Sequence, residues 1–200
     1  MTIQTTKTIK RCCGTSVGMR ITRVSPVTGK TEWAILGRGW WPPAWGLCAG
    51  HARDHGQKDF KEAAAAESSE ELGVTVADMT ELVTVHLSNL CASLPHEPLP
   101  GHLWTVYDVQ TEDTVLTPAP GETTGAEWVT REELQRLADV TIAYAHTGRP
   151  AREQPRLSLE AVWVELLCLV DDIAVSDADR QAVKRLYTSA PDEYWLGGRP

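Results

Sequence analysis

The segment Glu67-Ser68-Ser69-Glu70-Glu71-Leu72-Gly73-Val74 is the densest grouping of chemically capable side chains in the sequence. On an α-helix, at about 100° per residue, Glu70 and Glu71 fall roughly 60° and 40° to either side of Glu67, so the three carboxylates project from one face. Left alone they repel. Each like-charge pair at i,i+3 or i,i+4 costs roughly 0.2–0.5 kcal/mol, and carboxylates in a last helical turn also face the negative end of the helix dipole. Two readings account for them. A divalent cation removes the conflict, because Mg2+ and its relatives take hard oxygen ligands and keep waters for a phosphate-bearing substrate. The other reading is a solvated acidic face, the ordinary meaning of a Glu cluster.

The elements that must position this trio follow from local patterns. Asp59 followed by Glu62 is a capping box, Ala63 to Ala66 are the best helix formers available, and Gly73 sits where a helix-ending glycine belongs. The β-branched and small residues of 15–24 predict a strand, and Pro26-Val27-Thr28-Gly29 turns it into a hairpin with the apolar run 33–36. A loop rich in Trp and Pro leads through residues 46–50 to a polar turn bearing His51 and His55. Val83, Val85 and Leu87 alternate with polar residues, as do Leu103, Thr105, Tyr107 and Val109 with their neighbours, predicting two strands joined through the Pro-rich loop 95–101. A short extended segment at 125–129 runs into the capping box Thr130-Arg131-Glu132-Glu133. Leu159, Val162, Leu166 and Val170 repeat at helical spacing, and Ser176 precedes a last helix containing Val183, Leu186 and Tyr187. Strands and helices interspersed in this way predict an α+β fold with one mixed sheet between helices and the two C-terminal helices on one side.

Composition narrows the function classes. With 19 Lys+Arg against 27 Asp+Glu in 200 residues, the net charge of −8 argues against holding nucleic acid by broad phosphate neutralisation, so an anionic substrate would need a cation between. The longest mostly apolar stretch, 161–170, is broken by Glu165 and is about half of the roughly 20 residues a membrane span needs, so no membrane partner is expected. No apolar segment follows the early lysines, which makes the cytoplasm the default compartment. Five cysteines, an odd number without C-x-x-C spacing, read as reduced thiols. Vicinal Cys12 and Cys13 are either a redox pair or two small residues ahead of a strand. His86, Cys91, His96 and His102 lack regular zinc spacing, so no zinc site is expected of them.

Taken outward from the glutamates, the segment Trp45-Gly46-Leu47-Cys48-Ala49-Gly50-His51, the turn to Gly56, the Ala-rich helix and E-S-S-E-E-L-G-V resemble the Nudix hydrolase family. Its signature is G-x5-E-x7-R-E-U-x-E-E-x-G-U, with U a bulky aliphatic residue, and Glu67, Glu70, Glu71, Gly73 and Val74 match its second half. The likeness runs over roughly residues 15–137. Four departures stand out: Ala66 replaces the arginine, Ser68 the first aliphatic position, Lys58 the early glutamate, and residues 50–58 enclose seven residues where the signature has five. The arginine normally helps hold the glutamates, so its replacement bears on both metal binding and turnover.

The resemblance implies a Nudix-like α/β/α sandwich with a mixed β-sheet and extra C-terminal helices, spanning 15–188 between an N-terminal extension, 1–14, and a tail, 189–200. It implies a Nudix-type pyrophosphohydrolase using Mg2+, with Mn2+ as a substitute, acting on a nucleoside diphosphate linked to another moiety. Carried over by position, Glu67, Glu70 and Glu71 become metal ligands, with the Gly50 carbonyl completing the site, and Glu70 and Glu122 the catalytic carboxylates, Glu122 as the group that takes a proton from the attacking water. The alternative is a Nudix-like nucleotide-binding or regulatory module without efficient turnover, which Ala66 makes credible. Three substrate contacts are candidates, each with a plainer reading: Arg38 on a phosphate or as a surface arginine, Trp41 (with Trp40 and Trp45) stacked on a base or packed on the sheet, and His55 (with His51) at the substrate or within its turn. The expected partner is a small nucleotide-type molecule, and the sequence allows a homodimer.

Overall fold

The computed structural model describes residues 11–39, 41–53, 59–121 and 123–189. Strands β1 (Thr15–Val24), β2 (Thr31–Arg38), β3 (Trp45–Gly46) and β4 (Cys48–His51) precede helix α1 (Phe60–Leu72). Then come β5 (Asp78–Leu87), β6 (His102–Gln110), β7 (Thr123–Thr130), α2 (Arg131–His146), a 3-10 turn at Ala151–Glu153, α3 (Ala161–Leu169) and α4 (Asp177–Tyr187). The sheet has seven strands in the order β3-β2-β1-β6-β5, with β4 paired to β1 and β7 to β2. Seven strands with helices on both faces make the expected mixed α+β sandwich. The central β1–β6 pair is parallel, and the other pairs are antiparallel.

Alternation along the strands explains why both faces are covered. On β2, Trp33 and Ile35 point to one apolar layer, while Ala34 and Leu36 point to the other. On β6, Trp104 and Val106 join the first layer, and Tyr107 and Val109 the second. The second layer is closed by Ala63, Ala64 and Leu72 of α1, and the first by α2, α3 and α4. The C-terminal helices therefore share one side of the sheet.

Helix ends follow the expected side-chain logic. Asp59 accepts the Glu62 N–H at 2.8 Å, and Ser176 accepts the Asp179 N–H at 3.2 Å. At α2 the capping box is reciprocal: Thr130 Oγ1 accepts the Glu133 N–H at 3.3 Å, and Glu133 Oε2 accepts the Thr130 N–H at 2.8 Å. One element differs. Leu159 and Val170 lie outside α3, because the chain around Leu159 is extended beside β3. There the Trp45 N–H donates to Ser158 O at 2.9 Å and the Glu160 N–H to Trp45 O at 2.6 Å. That backbone pairing takes precedence over the helical spacing of the side chains.

Trp163 of α3 is the wedge between the sheet and the helical layer. It is 1% exposed and edge-on to Trp104, with ring centroids 6.0 Å apart. The sheet makes room with glycines: a Cβ on Gly18 would lie 2.7 Å from the Trp163 ring, and one on Gly46 would lie 2.9 Å from it. A buried carboxylate adds a polar tie. Asp172 accepts from Trp33 Nε1 at 3.2 Å and from Arg20 Nη1 at 3.1 Å, and Arg20 Nε also donates to Asp108 at 3.0 Å. The α3–α4 connection is thus bonded to β1, β2 and, through Arg20, to β6. Among the described residues, no helix is long and apolar enough to cross a membrane.

Truncating the wedge leaves a cavity that the surrounding helices and sheet close only in part. Trp163→Ala is expected to lower the unfolding free energy by about 3–5 kcal/mol, and Thr130→Ala, which removes one cap, by about 1 kcal/mol. Urea unfolding followed by circular dichroism measures both, and the ranking inverts if the wedge is dispensable.

Candidate active site

Helix α1 lies close to the sheet because its inward residues are small: Ala63 and Ala64 are 1% and 0% exposed. Ser68, at the position expected to be aliphatic, is also fully buried, and its hydroxyl donates to the Ala64 carbonyl at 2.8 Å. The polar atom is thereby satisfied within the helix, and a serine fits where bulk was expected. Gly73 ends the helix at φ 65°, in the left-handed region. Its N–H reaches Ser69 O at 3.0 Å, and the Val74 N–H reaches Ser68 O at 3.2 Å, which turns buried Val74 into the second apolar layer.

This close seating brings the glutamates to β4. Glu67 is 8% exposed, and its carboxyl lies directly against the Gly50 backbone. A Cβ on Gly50 would fall 2.0 Å from Glu67 Cδ and Oε1, a separation that no side chain accommodates. One turn on, Glu71 Oε2 accepts the Ala49 N–H at 3.1 Å. Glu70 is exposed. Between them Cys48 is fully buried and donates to the Glu67 carbonyl at 3.5 Å. Burial, then the neighbouring Glu71 and Glu67 carboxylates, push its thiol well above the usual range, so it stays protonated. The helix thus offers hard oxygen donors of graded exposure, from buried Glu67 against Gly50 through half-buried Glu71 on Ala49 to exposed Glu70.

The remaining expected residues are distributed more widely. Arg38, at the end of β2, lies 3.5 Å through Nη1 from Glu160 Oε2. Glu160 is buried, which pushes its carboxyl up while Arg38 pulls it down. Trp41 is buried and lines a cavity with Glu160, Asn89, Leu186 and Tyr187. Trp45 is half-buried in β3. His51 ends β4, next to Gly50. Glu122, His55, Trp40 and Lys58 lie outside the described residues. Two contacts had no signal in the sequence: at the glutamates, the Ala49 N–H on Glu71, which depends on a strand of only four residues, and, away from them, the Glu160 partner of Arg38, which reads as an ordinary helix-flanking acid.

Comparison with known proteins bears on the fold and the family. No curated protein matches the chain by sequence. Among solved structures, the NUDIX domain of Shewanella oneidensis NrtR complexed with ADP ribose is 12% identical, with 68% of this chain and 82% of that one covered at a TM-score of 0.51. A Caenorhabditis elegans Ap4A hydrolase binary complex is 22% identical, covering 62% of this chain and 85% of that one at 0.45. A NUDIX-family hydrolase from Clostridium perfringens is 13% identical, covering 86% and 97% at 0.47. The first of these supports a common fold and nothing further. The model of the NUDIX domain matches residues 22–148, from within β1 through α1 and its glutamates to the end of α2. With that match spanning more than half of the 200 residues, the chain belongs to the NUDIX family.

Proposed function

We propose that the protein hydrolyses a pyrophosphate bond in a nucleoside diphosphate linked to another moiety, with Mg2+ held by Glu67, Glu70, Glu71 and the Gly50 carbonyl. The observation that carries this reading is the seating of the Glu67 carboxyl on a bare Gly50 backbone, with Glu71 anchored on the Ala49 N–H beside it. The donor set fits the ion: all-oxygen, carboxylate-rich and partly exposed, as Mg2+ requires when it keeps waters and substrate oxygens in its shell. When bound, the ion supplies neutralisation of phosphate charge and acidification of water.

The chain's own residues supply placement and proton handling. Ala49 fixes one oxygen of Glu71, which sets the rotamer that aims the other. Burial of Glu67 between α1 and β4 restricts it to one orientation. Exposed Glu70 is the carboxylate nearest to open solvent and is assigned to the catalytic pair with Glu122, which accepts the proton of the attacking water. His55 is assigned to the substrate. Arg38 serves a phosphate only by exchanging its Glu160 partner, and Trp41 only at the mouth of its cavity.

One sequence feature favours a second reading. Ala66 offers the glutamates no cation, so a module that binds nucleotide without turning it over is the rival. A panel of nucleotide pyrophosphates separates the two. ADP ribose heads it because it is the ligand of the S. oneidensis domain and belongs to the proposed class. The expected result is Mg2+-dependent release of monophosphate from at least one member, abolished by chelation and restored by Mg2+ alone. Glu70→Gln is expected to lower kcat at least about 100-fold, beyond the 10–100-fold typical of groups that only support a ligand. Gly50→Ala is expected to lower kcat about 100-fold by displacing Glu67, a loss typical of misplacement by about 1 Å. A panel left intact while ligand still binds establishes the module instead.

A further inference from the structure

A second cluster, chemically unlike the first, includes His51, the neighbour of Gly50 on β4. Cys12 precedes β1, His51 ends β4, Cys91 follows β5 and His102 opens β6. One ligand atom from each of these residues lies within 4.8 Å of all the others. Cys12 Sγ is 3.0 Å from His102 Nε2 and 3.5 Å from His51 Nε2, and the two imidazole centroids are 5.5 Å apart. A tetrahedral zinc ion with Zn–S of about 2.3 Å and Zn–N of about 2.0–2.1 Å sets S···N edges near 3.5 Å and S···S edges near 3.8 Å. The Cys12–His51 separation of 3.5 Å matches that S···N edge, and the Cys12–His102 separation of 3.0 Å is somewhat tighter.

Its surroundings are arranged for ligation. His102 Nδ1 lies 3.0 Å from the Asn89 carbonyl. A carbonyl only accepts, so Nδ1 carries the proton and Nε2 turns its lone pair to the sulfurs. Asn89 is held in turn by Trp104 Nε1, which donates to its Oδ1 at 2.9 Å. This is the outer support that fixes the tautomer of a metal-binding histidine. Backbone N–H groups donate to both sulfurs, from Gly14 to Cys12 at 3.2 Å and from Ser93 to Cys91 at 3.4 Å. The adjacent Cys13 lies beside Cys12 and also bonds to Thr15 O and Oγ1 at 3.4 and 3.3 Å.

We propose that Cys12, His51, Cys91 and His102 form a closed structural Zn2+ site. Two thiolates and two neutral imidazoles bring a dication to zero net charge, which suits a cluster in which Cys12 and His102 are 5% and 2% exposed. Binding releases the two thiol protons to solvent and changes no oxidation state. The ion joins four segments, with His51 39 positions and His102 90 positions after Cys12. It pins the N-terminal arm to the β5–β6 connection, where the Cys12 N–H already donates to Leu94 O at 2.8 Å. Soft sulfur and nitrogen ligands select against Mg2+, so this site and the carboxylate site take different ions, and neither proposal rests on the other.

The full-length protein, reduced and stripped of metal, tests it directly. Titration with ZnCl2 is expected to show one tight equivalent and a raised Tm. CoCl2 is expected to give the intense visible bands of a tetrahedral ion with thiolate-to-cobalt charge transfer in the near ultraviolet. Cys12→Ser, Cys91→Ser and His102→Gln should lose these signals, while Cys13→Ser and Glu71→Gln keep them. The wild-type cobalt spectrum decides the matter even where a ligand variant does not fold. Absence of a tight equivalent, a weak octahedral spectrum without charge transfer, or a Cys12–Cys91 disulfide in protein isolated under reductant overturns the proposal.

Discussion

The candidate active site depends on one steric fact: Glu67 and Gly50 share a space that a single additional carbon would fill. A carboxylate loses hydration when it is pressed to a backbone, and the loss is tolerable only if something nearby offers compensating charge or hydrogen bonds. The chain accepts that cost at mid-helix, where stability alone would favour alanine. Everything around it serves the approach, from the small residues Ala63 and Ala64 to the serine bonded back into its own helix. The left-handed glycine then ends the helix and leads Val74 into the apolar layer beneath it.

Much of this was legible beforehand because it is written locally. Caps at Asp59, Thr130 and Ser176 depend on residues three apart, and strand alternation depends on residues two apart, so both survive without tertiary information. The glutamate spacing was readable for the same reason. What failed was non-local. The helical period through Leu159 runs past the true start of α3, because a backbone partner on β3 took that residue into an extended pairing. The N–H that holds Glu71 comes from a strand of four residues, too short to carry any pattern.

The Cys–His cluster shows the same limit more sharply. Spacing rules for zinc assume ligands contributed in pairs by short loops. Here each of the four arrives on a separate segment, so no regular interval exists to be found. His86 and His96 are the near neighbours in sequence, yet His86 is exposed and the imidazole of His96 lies against Gly14. Strand pairing helps bring Cys12 and His102 together: β1 and β6 run side by side from Thr15 and Leu103, so the segment just ahead of β1 meets the first residue of β6.

That parallel pairing also imposes an order of events on the nascent polypeptide. β1 aligns with β6 over eight residues, and Arg20 waits 88 positions for Asp108. During synthesis the first strand emerges with one long flank unsatisfied, and only its hairpin mate and β4 are available to cover it for some time. Parallel crossovers of this length delay chain collapse and leave a sticky margin exposed to neighbours. Cells making this protein in quantity would thus gain from a holdase acting on the ribosome-bound amino-terminal half until β6 has been made.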